Sequence, residues 1–196
     1  MVNLYSDNLI VRPFEFDDAD RVRELAGDYD IAKTTLNIPY PYPEGAAEAW
    51  IKHTHETANQ GSMYSFAIVR KLENALLSAV SLGIVPEHKR AELGYWMGKP
   101  YWGQGYTTEA ANRLLKFGFE ELDLNRVFAF AFSTNPASSR VMQKIGMTYE
   151  GTLVQHVLKW GQYHDLVTYG ILKHTYKELV SLRKINDEEA ETDFAR

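Results

Sequence analysis

The sequence contains no cysteine. That absence excludes disulfides, a thiolate metal site and a cysteine acyl-enzyme together. No apolar run reaches membrane length, and Met1–Phe16 carries charges throughout, so neither a spanning segment nor a signal peptide is expected. An excess of positive charge is also missing. The 21 Lys and Arg stand against 26 Asp and Glu, a formal net charge of -5, and the basic residues are scattered. Such a surface gives no support to a nucleic-acid or membrane partner, and a cytoplasmic home is expected. There is no internal repeat. His53 and His55 stand two residues apart on one expected helix and point to different sides, so no metal site is expected.

What the chain does have is one stretch that organises the rest, Glu92 to Ala110. Leu93, Tyr95 and Met97 alternate with Gly94, Trp96 and Gly98, the period of a strand. Pro100 ends the strand because it has no N–H for a ladder. Gly103 and Gly105 follow. After them Ala110, Ala111, Leu114, Leu115, Gly118, Phe119 and Leu122 mark one face of a helix. A glycine loop feeding a helix start gathers free backbone N–H groups at the positive end of the helix dipole, which suits a phosphate. No Gly-Lys-Ser/Thr follows, so this is not a P-loop. Thr108 stands where a dinucleotide fingerprint has its third glycine. A pyrophosphate held by backbone alone, without a metal, fits what remains.

Taken in order, the 196 residues suit one domain, and 45% hydrophobic content is ordinary for a globular chain. Leu9–Phe14 reads as a short strand. Asp17 or Asp18 is expected to cap a helix reaching about Tyr29, and another helix is expected from Pro43 or Glu44 to about Gln60. Between them, Pro39, Pro41 and Pro43 interleave with Tyr40 and Tyr42 as a stiff connector. Met63–Arg70 and Leu76–Val85 form an expected hairpin that turns near Glu73–Asn74. Arg126–Phe132 is a strand, and Asn135 before Pro136 opens a helix that Gly146 closes. Strands near Thr148–Leu158 and His164–Lys173 flank a turn at Gly161. The acidic stretch 185–196 reads as a frayed tail. The fold class is therefore α/β, with a mixed, mostly antiparallel central sheet and helices on both faces.

The segments Gly94–Trp96 and Tyr101–Ala110 resemble the acetyl-CoA motif of the GNAT family of N-acetyltransferases, closest to its branch of ribosomal-protein N-terminal acetyltransferases (RimJ/RimL-like). Asn135-Pro136-Ala137-Ser138-Ser139, Lys144–Met147 and Glu150-Gly151 are similar to that branch's second motif. Gly161–Asp165 with Tyr169 resembles its closing hairpin. The likeness runs from about Asn8 to about Tyr176 and implies a single acetyltransferase domain over residues 1–184. It implies acetyl-CoA as cosubstrate, an amine acceptor (best a protein N-terminus, alternatively a small amine) and a possible homodimer, with a CoA-binding module that does no catalysis as the remaining alternative.

On that resemblance, Trp102, Gly103, Gln104, Gly105, Tyr106, Thr107 and Thr108 hold the pyrophosphate. Three or four such bonds, each about 1.5–3 kcal/mol gross, are compatible with micromolar binding of about −8 kcal/mol after ordering costs. Trp102 departs from the Arg or Gln that usually opens the loop, so the electrostatic part is expected from backbone and helix dipole. The strand at Glu92 is expected to splay from Arg126–Phe132. Backbone groups of Trp96 and Met97 would then meet the pantetheine arm, with Asn135 touching it from the side. Ser138 matches the branch's proposed acid. Val157 stands where the branch carries its glutamate base, and Glu92 is the expected substitute. Tyr40 and Tyr42 are expected at the acceptor rim with Glu92. About a tenth to a fifth of a protein α-amine is neutral at pH 7, against under about 0.1% of a lysine, so a weakly equipped site suits an α-amine or another low-pKa amine better than lysine.

Overall fold

A computed structural model describes residues 2–182; the expected tail at 185–196 lies outside the described residues. The elements run β1 (Leu4–Tyr5), β2 (Leu9–Pro13), α1 (Ala19–Ala26), α2 (Tyr29–Ala32), α3 (Ala46–Asn59), β3 (Met63–Arg70), β4 (Ala75–Val85) and β5 (Arg90–Met97). Then follow α4 (Tyr106–Lys116), β6 (Arg126–Phe132), α5 (Pro136–Lys144), β7 (Thr148–Lys159) and β8 (Gln162–Leu172). A last helix, α6, covers 173–182. The eight strands form one sheet in the order β1-β2-β3-β4-β5-β6-β8-β7. Every neighbouring pair is antiparallel except β5 with β6.

Alternation along the strands sorts side chains between two layers. Phe66, Ile68, Val80, Leu82, Leu93 and Val127 face α4 and α5 and pack with Leu114, Leu115 and Met142. Ala67, Val69 and Ala79 face the other way, onto Val22, Leu25, Ala47 and Ile51 of α1 and α3. Leu114 and Leu115 are fully buried, each contributing about 1.5–3 kcal/mol by removal from water.

Two expected boundaries are corrected. The helix expected from Asp17 or Asp18 to Tyr29 breaks at Gly27, and Asp28 opens α2 by accepting the Asp30 N–H. A Cβ at Gly27 would stand 2.6 Å from the Arg23 carbonyl, so glycine is what lets the chain leave the helix there. Asp18 stands at the N-cap of α1 as expected, but its side chain makes no cap bond there. Its carboxylate takes the Arg12 guanidinium in two bonds of 2.7 and 2.8 Å and the Glu15 N–H at 2.8 Å. The helix expected from Pro43 or Glu44 begins at Ala46 instead, after Gly45 in the left-handed region at φ 73°. The sequence pattern also passes over β1, whose two residues are too few to show a period.

Candidate active site

β5 and β6 pair only at Arg90–Glu92 with Arg126–Phe128. Beyond that point β5 stays with β4 as far as Met97, while β6 stays with β8 as far as Phe132. The two strands therefore part into a wedge whose apex is the Glu92–Phe128 pair. The Gly98 N–H donates to Leu77 O at 3.0 Å, which makes Ser78–Met97 the pair without mutual hydrogen bonds in an antiparallel ladder. Alternation then turns the backbone groups of Leu93, Tyr95 and Met97 into the wedge. Those of Trp96 turn to Ala79 on β4. The expectation that Trp96 offers its backbone to a ligand is corrected by this register; its side chain packs toward α1 and α3. The Met97 carbonyl takes the Trp102 indole N–H at 2.6 Å, so Met97 keeps its N–H for the wedge.

The loop that follows is made by two left-handed glycines, Gly103 at φ 74° and Gly105 at φ 86°, the latter being the N-cap of α4. Trp102 N–H donates to Lys99 O, and Glu109 N–H donates to Gly105 O. Among the described residues, none accepts a hydrogen bond from the six amides between, Gly103 to Thr108. The Gln104 side chain donates to Pro100 O at 2.9 Å and steadies the turn. Glu109 anchors the far side of α4's first turn. Its carboxylate accepts from Ser6 Oγ and Asn8 N, each at 2.7 Å, and from Asn8 Nδ2 at 3.1 Å. Burial pushes that carboxyl up, and these bonds outweigh it and leave it lowered. One cation that the motif does not contain stands beside the loop. Arg70 at the end of β3 lies 5.9 Å from the Tyr101 ring and 6.0 Å from the Tyr106 ring, ion-paired with Glu73.

Across the wedge, Asn135 caps α5 by accepting the Ser138 N–H at 3.3 Å. Ser138 is held from the other wall: its Oγ is 2.9 Å from the Tyr95 hydroxyl, which also reaches Ser138 O at 3.1 Å. Burial pushes the Tyr95 phenol up to about 12, so it keeps its proton and serves as a neutral donor. This tie was not legible in the sequence, where Tyr95 reads only as part of a strand's alternation.

Glu92 lies on the opposite face of the sheet from Ser138, in register with Phe128. Partial burial pushes its carboxyl up. Among the described residues no ion pair or hydrogen bond takes its oxygens, although Arg90, two residues away, lies over the Phe128 ring at 5.5 Å.

The two tyrosines expected at the rim part company. Tyr42 is half-buried and packs beside α1 and α3, where a Cβ at Gly27 would touch it at 3.6 Å. Tyr40 is exposed and meets Tyr29 edge-on at 5.1 Å. Tyr29 in turn stacks on Trp160 of the β7–β8 turn, 5.6 Å apart and 12° from parallel. His55 bonds Phe14 O at 2.7 Å and His53 is exposed; no group of three or more His, Cys, Asp or Glu side chains able to hold a metal occurs among the described residues.

The acetyltransferase (GNAT) domain family matches residues 8–148. The chain belongs to that family. A protein named "Putative ribosomal N-acetyltransferase YdaF", from Bacillus subtilis, is 30% identical over 88% of this chain and 95% of its own length. The spermidine N(1)-acetyltransferase of Escherichia coli is 26% identical over 85% of this chain and 87% of its own. Among solved structures, RimL, described as a ribosomal L7/L12 alpha-N-protein acetyltransferase in complex with coenzyme A, superposes with a TM-score of 0.81. It is 20% identical and covers 87% of this chain and 98% of its own. This GNAT chain is thus an acetyl-CoA-dependent N-acetyltransferase, with the mixed sheet and two helical layers of its family. No helix among its described residues is long and apolar enough to cross a membrane.

Proposed function

We propose that this acetyltransferase acetylates a protein N-terminal α-amine by direct attack of the amine on the thioester. The observation that carries the reading is the placement of an unpaired, pKa-raised carboxyl, Glu92, at the apex where β5 and β6 part. The amides of Gly103–Thr108 hold the pyrophosphate, aided by the dipole of α4. The N–H and C=O groups of Leu93 and Tyr95 and the N–H of Met97 pair with the pantetheine arm, and Asn135 lines it from α5. A wedge amide that meets the thioester oxygen stabilises the tetrahedral intermediate as its charge develops.

Glu92 takes a proton from the attacking ammonium. The neutral nitrogen bonds to the acetyl carbon, its second proton passes to water, and the carbon–sulfur bond breaks as the intermediate collapses to the amide. Ser138, held by its contact with the Tyr95 hydroxyl, can pass its own proton to the departing thiolate and recover one from water. A carboxyl raised toward the working pH is a better base than an ordinary one, though still far from a lysine's pKa. One such carboxyl suits an α-amine, and the name carried by YdaF agrees. The name of the 26% identical spermidine enzyme supports a second reading, a polyamine acceptor.

Thiol release from acetyl-CoA, followed with an N-terminal peptide, free lysine and spermidine, separates the two. The peptide is expected to react at least tenfold faster by kcat/KM. A faster rate with spermidine or free lysine overturns the reading.

A further inference from the structure

Lys159 is a charged residue that the mechanism does not use, and it is 6% exposed. It ends β7, and its Nζ reaches across to the segment after α2, donating to the carbonyls of Thr35, Leu36 at 3.2 Å and Ile38 at 3.4 Å. No carboxylate pairs with it among the described residues, and the Trp160 ring lies 4.7 Å from its Nζ. An ammonium taken out of water is costly unless fixed dipoles replace the hydration it loses, and three converging carbonyls are such a replacement. Burial lowers its pKa.

Geometry gives the tie a location. The β7–β8 turn projects past Phe132, the last residue of β6, because Leu166 is the partner of Phe132 and β8 begins four residues earlier, at Gln162, just after the turn. On the other side, Lys99 just after β5 pairs with Asp30 of α2 at 2.5 Å. α2 and the β7–β8 turn then meet through the Tyr29–Trp160 stack. Together these contacts make an arch from the end of β5 to the β7–β8 turn, spanning the open mouth of the wedge.

We infer that Lys159 is a positioning residue for the acceptor: by pinning Thr35–Ile38 to β7 it sets the arch, and the arch with Tyr29, Tyr40 and Trp160 orients the incoming amine. This inference rests on the reading of the wedge as the acetyl-transfer site.

The test compares Lys159→Met, which keeps the stem and removes the donors, with Lys159→Arg, which keeps donors and charge. For Met, the acceptor KM is expected to rise at least tenfold while kcat and the acetyl-CoA KM stay within about twofold; Arg is expected to recover most of the loss. Equal rises in both KM values, or no change in either, overturn the inference. Hydrogen exchange supplies a readout that needs no turnover. Amides over 34–38 are expected to exchange at least tenfold faster in the Met variant, while those of α3 and β3 do not change. Unchanged exchange over 34–38 overturns the arch itself. Faster exchange in a protein that acetylates no amine instead overturns the proposed function and leaves the pin standing. Should the Met variant not fold, Trp160→Ala replaces it, with the same split between the two KM values expected.

Discussion

The pyrophosphate loop and the arch face the same wedge but are built in opposite ways. The loop is local: Gly98 to Glu109 make it from backbone N–H groups, two left-handed glycines and one helix start. The arch is assembled from three distant segments by side chains, with Lys159 bonding residues 121 to 124 positions away. A ligand common to a family can be gripped by backbone, which tolerates exchange of side chains. An acceptor that differs among relatives is met by side chains, which can be exchanged one at a time. On the proposed reading, the cosubstrate and the choice of amine fall to different kinds of atom in this chain.

The sharpest way to test that division is to remove the base at the apex. Glu92→Gln is expected to lower kcat by about 10²-fold or more while acetyl-CoA still binds, as titration calorimetry would read. The pH profile sharpens it. A raised Glu92 pKa means activity is lost as pH falls through that pKa, and the Gln variant is expected to lose this acid limb. The sign for stability is opposite. A carboxyl raised by burial contributes stability fully only below its unfolded value of about 4.5, and that contribution is lost as pH rises through the folded pKa. The Gln variant is therefore expected to melt no lower than the parent at pH 7, which separates lost chemistry from lost fold.

Gly105→Val comes next. A β-branched side chain at φ 86° carries about 1–2 kcal/mol of backbone strain, and relieving it turns the amides of the first turn of α4. The acetyl-CoA Kd is expected to rise about tenfold, with the acceptor KM little changed; the reverse pattern breaks the comparison. Trp102→Phe removes the indole N–H that Met97 O accepts, a bond of about 1 kcal/mol, and a rise of about fivefold in acetyl-CoA KM is expected from steady-state rates. The smallest effect belongs to the arch. Asp30→Asn cuts the exposed tie to Lys99, and about a twofold rise in acceptor KM is expected. In the parent, Lys33 and then Lys99 hold the Asp30 carboxyl down at about 2. Its contribution is present above the ordinary value of 3.8 and fades as pH falls toward about 2, so this tie is expected to persist through mild acid.

How much of this was legible beforehand follows from the same contrast. Strand β6 and the cap at Asn135 were readable to the residue, because alternation and an Asn-Pro start are local signals. The glycine loop and its helix were readable for the same reason. The parity of β5 was not. Which of Tyr95, Trp96 and Met97 offers its backbone depends on pairing with β4, and one turn of the count moves the answer from Trp96 to its neighbours. Tyr95 and Ser138 stand 43 positions apart, and no periodicity links them. No motif or spacing in the sequence singles out Lys159. Only the fold puts carbonyls around it.

The ladder that seats β5 against β4 also constrains how such a chain can vary. Surface connections such as the turn at Glu73–Asn74 tolerate changes in length, since loop closure depends only weakly on residue number. The span from Glu92 to Gly98 has no such latitude. Inserting or deleting one residue there would swing Tyr95 away from Ser138 and hand the wrong set of peptide groups to the cofactor, even if every side chain kept its identity. Variation in this span is confined to substitution, and a one-residue length change inside it should mark a relative that has given up the reaction.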